Sequence, residues 1–299
     1  MKEDHQESKG MHYEGYCIRP PSEAQSILLQ VTLGCSHHKC TFCGSYLDKR
    51  FRIKEDGVIL SDIEFASRHM RHQDRVFLMD GDALVVPQER LVWILGEIRR
   101  HLPWVRRVGT YANVKAIKMK SLEDLRCLRE MGLGIIYLGV ETGDDEIRKE
   151  IRKGSSACEA IEEGKKVKEP GIKLSVTVLL GIGGPERSLR HAKATGELLS
   201  AMDPDYVGAL TVMLVPGTPL YEDYLTGRFR LPDQSGILRE LREMIAHTEL
   251  TGGLFFSNHA SNYLAIKARL PGGKQEALGL IDRALRGEIG LRPEWMRGL

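Results

Sequence analysis

Apolar positions along this chain alternate between two periods. Ser26 to Thr32 (SILLQVT) is a leucine and β-branched run that stops at Gly34 and predicts a first strand. Ile59, Ile63, Ala66 and Met70 then recur at helical spacing, which predicts an amphipathic helix over 57–72. Val76 to Met79 predicts a short buried strand, and Leu91, Ile94, Leu95 and Ile98 mark the next helix. Val105 to Ala112 reads as a third strand. Ser121-Leu-Glu-Asp124 resembles a capping box and opens a helix running to Met131. Gly134 to Val140 (GIIYLGV) is a strand, and Asp144 to Lys153 is a helix. That helix has acids in its first turn, bases in its last and Gly154 as a stop, all in agreement with the helix dipole. Ser156-Ala-Cys-Glu159 opens another helix. Lys173 to Leu180 is a strand, Arg187 to Met202 a helix, and Tyr206 to Val215 a strand ahead of Pro216-Gly217.

Six strands, each followed by helix, call for a parallel sheet with crossover helices, either doubly wound or closed as a barrel. The expected divisions are an extended lead-in over 1–25, which ends in Arg19-Pro20-Pro21-Ser22, a β/α body over 26–230, and a helical closing segment over 231–299. Within the last, Leu254 to Leu264 is an irregular apolar-polar stretch.

Composition narrows the class. The 299 residues are 42% hydrophobic and 28% charged, as in a soluble globular protein. A net charge of +2 gives no electrostatic case for nucleic acid. The polar start, MKEDHQESKGMHYEG, argues against a signal peptide, and no apolar run reaches the length of a membrane span. Six cysteines in such a chain point to a reducing cytoplasm, where clustered thiols bind metal.

Three of those cysteines, Cys35, Cys40 and Cys43, lie within one loop, GCSHHKCTFCG, directly after the first strand. A structural zinc site needs four ligands, usually from two separated knuckles. Here there is a single Cys-x2-Cys with one cysteine ahead of it, and His37 or His38 would have to complete the set in a cramped loop. Three thiolates with an open position suit an iron–sulfur cluster whose remaining iron binds something else. Zinc stays as the alternative, in a non-enzymatic metal or electron-carrying protein. The loop falls at the carboxyl end of the parallel strands, where α/β barrels place their chemistry.

With Phe42 just ahead of Cys43, this loop resembles that of the radical S-adenosylmethionine (SAM) superfamily. Its spacing is Cys-x4-Cys-x2-Cys, one residue longer than the usual Cys-x3-Cys-x2-Cys. The resemblance implies a (β/α)6 partial TIM barrel with a helical C-terminal segment. It implies a 4Fe-4S cluster on Cys35, Cys40 and Cys43, with SAM chelating the remaining iron. Reductive cleavage of SAM would then yield a 5′-deoxyadenosyl radical that removes a hydrogen from substrate. It further implies SAM contacts at Phe42 and at Gly81 and Asp82, within Asp80-Gly81-Asp82 at the end of the second strand.

The sequence Leu138-Gly139-Val140-Glu141-Thr142-Gly143 resembles a motif of the coproporphyrinogen oxidase-like and methylthiotransferase-like branches. Strand period places Tyr137, Gly139 and Glu141 on one face, and the resemblance makes Glu141 a SAM contact. By the same resemblance Tyr111 and Asn113 stand at the ribose, and Ser175, Thr177 and Gly181 at the adenine and ribose. An electron donor such as flavodoxin or ferredoxin is implied. The chain shows no equivalent of the second domain of coproporphyrinogen oxidases, nor of the nucleic-acid or cobalamin appendages of other branches. A small-molecule or peptide substrate is therefore expected. In the tail, Asn258, His259 and Asn262, between Phe255-Phe256 and Tyr263, are the candidates for holding it.

Overall fold

The computed structural model describes residues 10–298. The chain divides into two compact units. The first takes residues up to His38, Asp48–Ile136 and Glu169–Ile172; the second takes Lys39–Leu47, Tyr137–Lys168 and the chain from Lys173 onward.

In the first unit, β1 (Ile27–Gln30) ends before Val31 and is followed by β2 (Thr32–Leu33), which pairs antiparallel with β3 (Arg52–Ile53). The single strand expected over 26–32 is thus broken. Val31 donates its N–H to Met79 and accepts from Lys54, so its backbone serves neighbours on both sides. Then come α1 (Asp56–His69), β4 (Arg75–Met79), α2 (Gln88–His101) and β5 (Arg107–Ala112). β5 begins two residues later than expected because Val105 closes a turn on Leu102.

The helices bury the residues their period marks: Ile59, Ile63 and Ala66 on α1, and Leu91, Ile94, Leu95 and Ile98 on α2. A short helix not foreseen, α3 (Val114–Lys118), is capped by the side chain of Asn113. α4 (Leu122–Glu130) carries the expected box: Ser121 Oγ accepts from Asp124 N–H and Asp124 returns the bond to Ser121 N–H. The lead-in from Gly10 to Pro20 forms no helix or strand, and residues 1–9 of the expected lead-in lie outside the described residues. Its backbone partners buried side chains: His12 N–H meets Asp62 at 2.7 Å and Glu14 N–H meets Gln30 at 2.8 Å.

β6 (Leu133–Glu141) passes from the first unit into the second. The second unit continues with α5 (Asp145–Glu150), α6 (Ala157–Lys168), β7 (Lys173–Leu180), α7 (Gly184–Met202) and β8 (Tyr206–Thr211). α5 is shorter than the helix expected over 144–153. Asp144 is its N-cap, accepting from the N–H groups of Glu146 and Ile147, and Arg152 already has φ +54°. After α8 (Pro219–Leu225) and α9 (Gln234–Ala246), the tail departs from a helical segment. It adds β9 (Leu254–Phe256), parallel to β8, and β10 (Lys267–Arg269), antiparallel to β9, before α10 (Lys274–Leu285). Phe255 is fully buried on β9, which contributes about 2 kcal/mol and holds the irregular stretch in the sheet.

The main sheet therefore has eight strands in the order β1-β4-β5-β6-β7-β8-β9-β10. Six of them, β1 and β4 to β8, are the strands expected from the sequence, and the registers of β1–β4, β4–β5 and β7–β8 are parallel. Among the described residues, no helix is long and apolar enough to cross a membrane.

Candidate active site

The cysteine loop leaves β2 at Gly34, whose φ of +69° favours glycine. Both backbone groups of Gly34 are held at the end of β4: its N–H donates to Asp80 Oδ2 (3.1 Å) and its C=O accepts from Gly81 N–H (3.2 Å). Asp80 is fully buried. The same oxygen, Oδ2, also accepts from Gln30 Nε2 (3.1 Å) and Lys49 Nζ (3.0 Å), and Lys49 in turn donates to the Tyr16 carbonyl (2.6 Å). One residue beyond Cys35, Ser36 donates to Asp82 Oδ2, and Asn113 Nδ2 reaches the same oxygen at 2.6 Å. Asn113 Oδ1 caps α3 through Ala116 N–H (2.9 Å). Asp82 and Asn113, both read as SAM contacts, thus bind Ser36 and so brace the start of the loop. Tyr111, half-buried on β5, sets its ring edge-on to Phe77 at 5.0 Å.

In the second unit, Cys43 N–H closes a turn on the Cys40 carbonyl (3.3 Å). Thr41 N–H donates to Ile151 at the end of α5 (3.1 Å), and Thr41 C=O accepts from Leu220 (2.9 Å). Phe42 packs on Ile147, Ile151, Leu179, Ile182, Val212 and Leu220, so here it anchors the loop through apolar contact.

Glu141 closes β6 with φ +68°, a conformation that costs a non-glycine residue about 1–2 kcal/mol. Its carboxylate is buried and paired with Lys153 Nζ at 2.8 Å. A Cβ at Gly139 would overlap that carboxylate, so glycine leaves room for the pair. Burial works against the Lys153 charge, but Glu141 and Cys40 outweigh it and keep the ammonium above its ordinary range. Beside it, Arg148 is buried and donates to the carbonyls of Val140 and Thr142.

Ser175 and Thr177 are half-buried on β7 and alternate with buried Val176 and Val178. The β7 end turns at Gly181, φ +85°, whose N–H donates to Glu240 on α9 at 2.6 Å. Glu240 also accepts from Ser188, and burial pushes its carboxyl up to about 7. His191, equally buried, bonds Thr142 Oγ1 through Nδ1 (2.7 Å) and the Leu179 carbonyl through Nε2 (3.0 Å). Burial lowers its pKa to about 4, so its 3.4 Å approach to Glu240 is not an ion pair near neutrality.

In the tail, Asn258 is exposed and His259 half-buried. His259 Nδ1 accepts from Ser261 N–H at 3.1 Å, which assigns its proton to Nε2. Burial, then the Arg292 charge, lowers its pKa. Asn262 is buried in the scaffold, not turned to an open cavity: its amide donates to Ala209 and Ser257 and accepts from Thr211. Cys158 is exposed and bonded to Glu162, which raises its pKa. A cavity of about 600 Å³ between β10 and α10, bordered by Lys267, Arg269, Arg283 and Arg286, includes none of the candidate residues.

Asp80, Lys49, Ser36, Arg148, Lys153, Glu240 and His191 were not among the residues picked from the sequence. Lys153 carried one signal, a base just before the Gly154 stop. Arg148 bonds the turns on either side of α5, and the others face partners far along the chain.

The donor set fits an iron–sulfur cluster, which takes thiolate ligands. All six cysteines are free of disulfides. The cations Lys153 and Arg148 near Cys40 suit an anionic centre.

Residues 29–199 match the Radical SAM superfamily, and the chain belongs to it. Enzymes of this superfamily bind a 4Fe-4S cluster and SAM. An uncharacterized protein of Methanocaldococcus jannaschii is 23% identical over 234 residues, which cover 74% of this chain and 71% of that protein. The heme chaperone HemW of Bacillus subtilis is 22% identical over 159 residues, 53% of this chain and 42% of HemW. The structure of coproporphyrinogen III oxidase (HemN) from Escherichia coli, a radical SAM enzyme, superposes with a TM-score of 0.54 at 14% identity. That match covers 74% of this chain and 51% of HemN, and it is a likeness of fold.

Proposed function

We propose that Cys35, Cys40 and Cys43 hold the cluster and that the chain is an enzyme of SAM-dependent radical chemistry acting on a small molecule or peptide. The observation that carries this is the three-thiol loop itself, in a chain of the Radical SAM superfamily, with Cys40 within electrostatic reach of buried Lys153 and Arg148. When bound, the cluster supplies the electron that splits SAM into methionine and a 5′-deoxyadenosyl radical. Phe42, Gly81, Asp82, Tyr111, Asn113, Glu141, Ser175, Thr177 and Gly181 border SAM in this reading. Glu141 offers a buried carboxylate to a cationic group, and Asp82 and Asn113 act through Ser36 on the loop. The body over 26–230 carries the cofactors, and the segment over 231–299 borders the substrate through Asn258 and the Nε2–H of His259. Asn262 serves by fixing that loop. The reductant is a flavodoxin- or ferredoxin-type donor.

Anaerobic reconstitution tests the first half: about four irons should bind per chain. Each of Cys35→Ala, Cys40→Ala and Cys43→Ala should lose them, while Cys17→Ala and Cys127→Ala keep them. Reduction in the presence of SAM should then yield 5′-deoxyadenosine. A fully loaded, reduced protein that leaves SAM intact would refute the enzyme and favour a carrier, as the HemW similarity allows.

A further inference from the structure

Arg148 is among the largest fully buried side chains of the protein, 1% exposed. Its guanidinium donates to the carbonyls of Val140 (2.9 Å), Thr142 (2.8 Å) and Ser155 (2.8 Å) and to Ser155 Oγ (2.7 Å). All four acceptors are neutral. Asp145, at 3.9 Å and largely in solvent, is a weak counterion. Arginine does not shed its proton, so this is a fixed positive charge held by neutral acceptors alone.

The carboxylates of Asp145, Glu141 and Glu159 act on it only through space, with no hydrogen bond to the guanidinium. One of these, Glu141, is already paired with Lys153 at 2.8 Å. The cysteine loop comes down on the same helix. Thr41 bonds Ile151, one turn beyond Arg148, and Phe42 packs on Ile147 and Ile151. Cys40 accordingly lies within electrostatic reach of both Arg148 and Lys153.

We propose that Arg148 is a positioning residue of charge: its buried guanidinium compensates the thiolate-bound centre at Cys40 and raises that centre's reduction potential. This rests on the assignment of the cluster to Cys35, Cys40 and Cys43. Adding an electron makes such a centre more negative, so a nearby fixed cation favours the reduced form. A residue that merely tied the turn after β6 to α5 would leave the potential alone.

The test is a redox titration of the reconstituted protein without SAM, followed by electron paramagnetic resonance. Arg148→Gln keeps donors but removes the charge and should disfavour one-electron reduction at least tenfold, about 59 mV more negative. Arg148→Lys keeps the charge and should stay within about threefold of the parent protein. Glu141→Gln removes the opposing carboxylate with Arg148 untouched and should shift the potential the other way. Should Arg148→Gln fail to fold, an unchanged potential in Glu141→Gln would show that charge beside this centre does not reach it and would overturn the inference. Loaded variants whose potentials equal that of the parent protein would overturn the inference and leave the cluster assignment standing. Failure of the parent protein to bind iron would instead defeat that assignment.

Discussion

Glu240 on α9 joins the Gly181 turn of the candidate site to α7, and its burial has a measurable cost. Its carboxyl is fully buried, accepts from Gly181 N–H and Ser188 Oγ, and is pushed by burial from 4.5 up to about 7. The folded protein therefore keeps a proton that the unfolded chain releases. Stability from this group is complete below about pH 4.5 and is lost as pH rises to 7. A shift of about 2.5 pKa units corresponds to about 3 kcal/mol.

His191 acts in the opposite sense. Burial lowers it from 6.5 to about 4, so the unfolded chain takes up the proton first, and stability rises between pH 4 and 6.5. The two contributions nearly cancel between pH 4.5 and 6.5, which hides both in the parent protein.

Glu240→Gln separates them. The amide can accept from Gly181 and donate to Ser188, as the protonated acid does, but it does not ionise. Urea denaturation of the cluster-free protein should show equal stabilities near pH 4. By pH 8 the variant should be more stable by about 3 kcal/mol, with a rise between pH 4 and 6.5 that the parent protein lacks. A variant that is less stable at pH 8, or parallel to the parent protein at every pH, would show that Glu240 is ionised and paired in the fold.

Other outcomes follow from single contacts. Asp80→Ala should destabilise the fold by about 3–5 kcal/mol, because it strands buried Lys49 as well as the Gly34 amide; hydrogen exchange at Gly34 should accelerate in the same variant. Glu141→Ala should keep the full iron content and weaken SAM binding by about 1–3 kcal/mol, read by calorimetry, and unchanged binding would make Glu141 a partner of Lys153 alone. His259→Ala should retain SAM cleavage and lose turnover once a substrate is known; loss of the cluster would place the residue in the scaffold.

Signals confined to a few neighbouring residues were legible in the sequence. The Ser121–Asp124 box, the acid-first, base-last helix after β6, the six strands and the three-thiol loop are all set by local periodicity or spacing. Charge partners were not. Asp82 stood out as the acid of Asp80-Gly81-Asp82, yet Asp80 is the one that holds Gly34 and Lys49, while Asp82 holds Ser36. Both bonds to the loop span 46 residues, and nothing local distinguishes the two acids. β9 and β10 were likewise missed because three residues make no period of their own. They exist through their pairing with β8 and the burial of Phe255. Short-range steric and capping preferences marked the six strands of the body and most of its helices in the sequence. Which buried charges meet, and hence what braces the cysteine loop, was decided only when the chain brought distant residues together out of water.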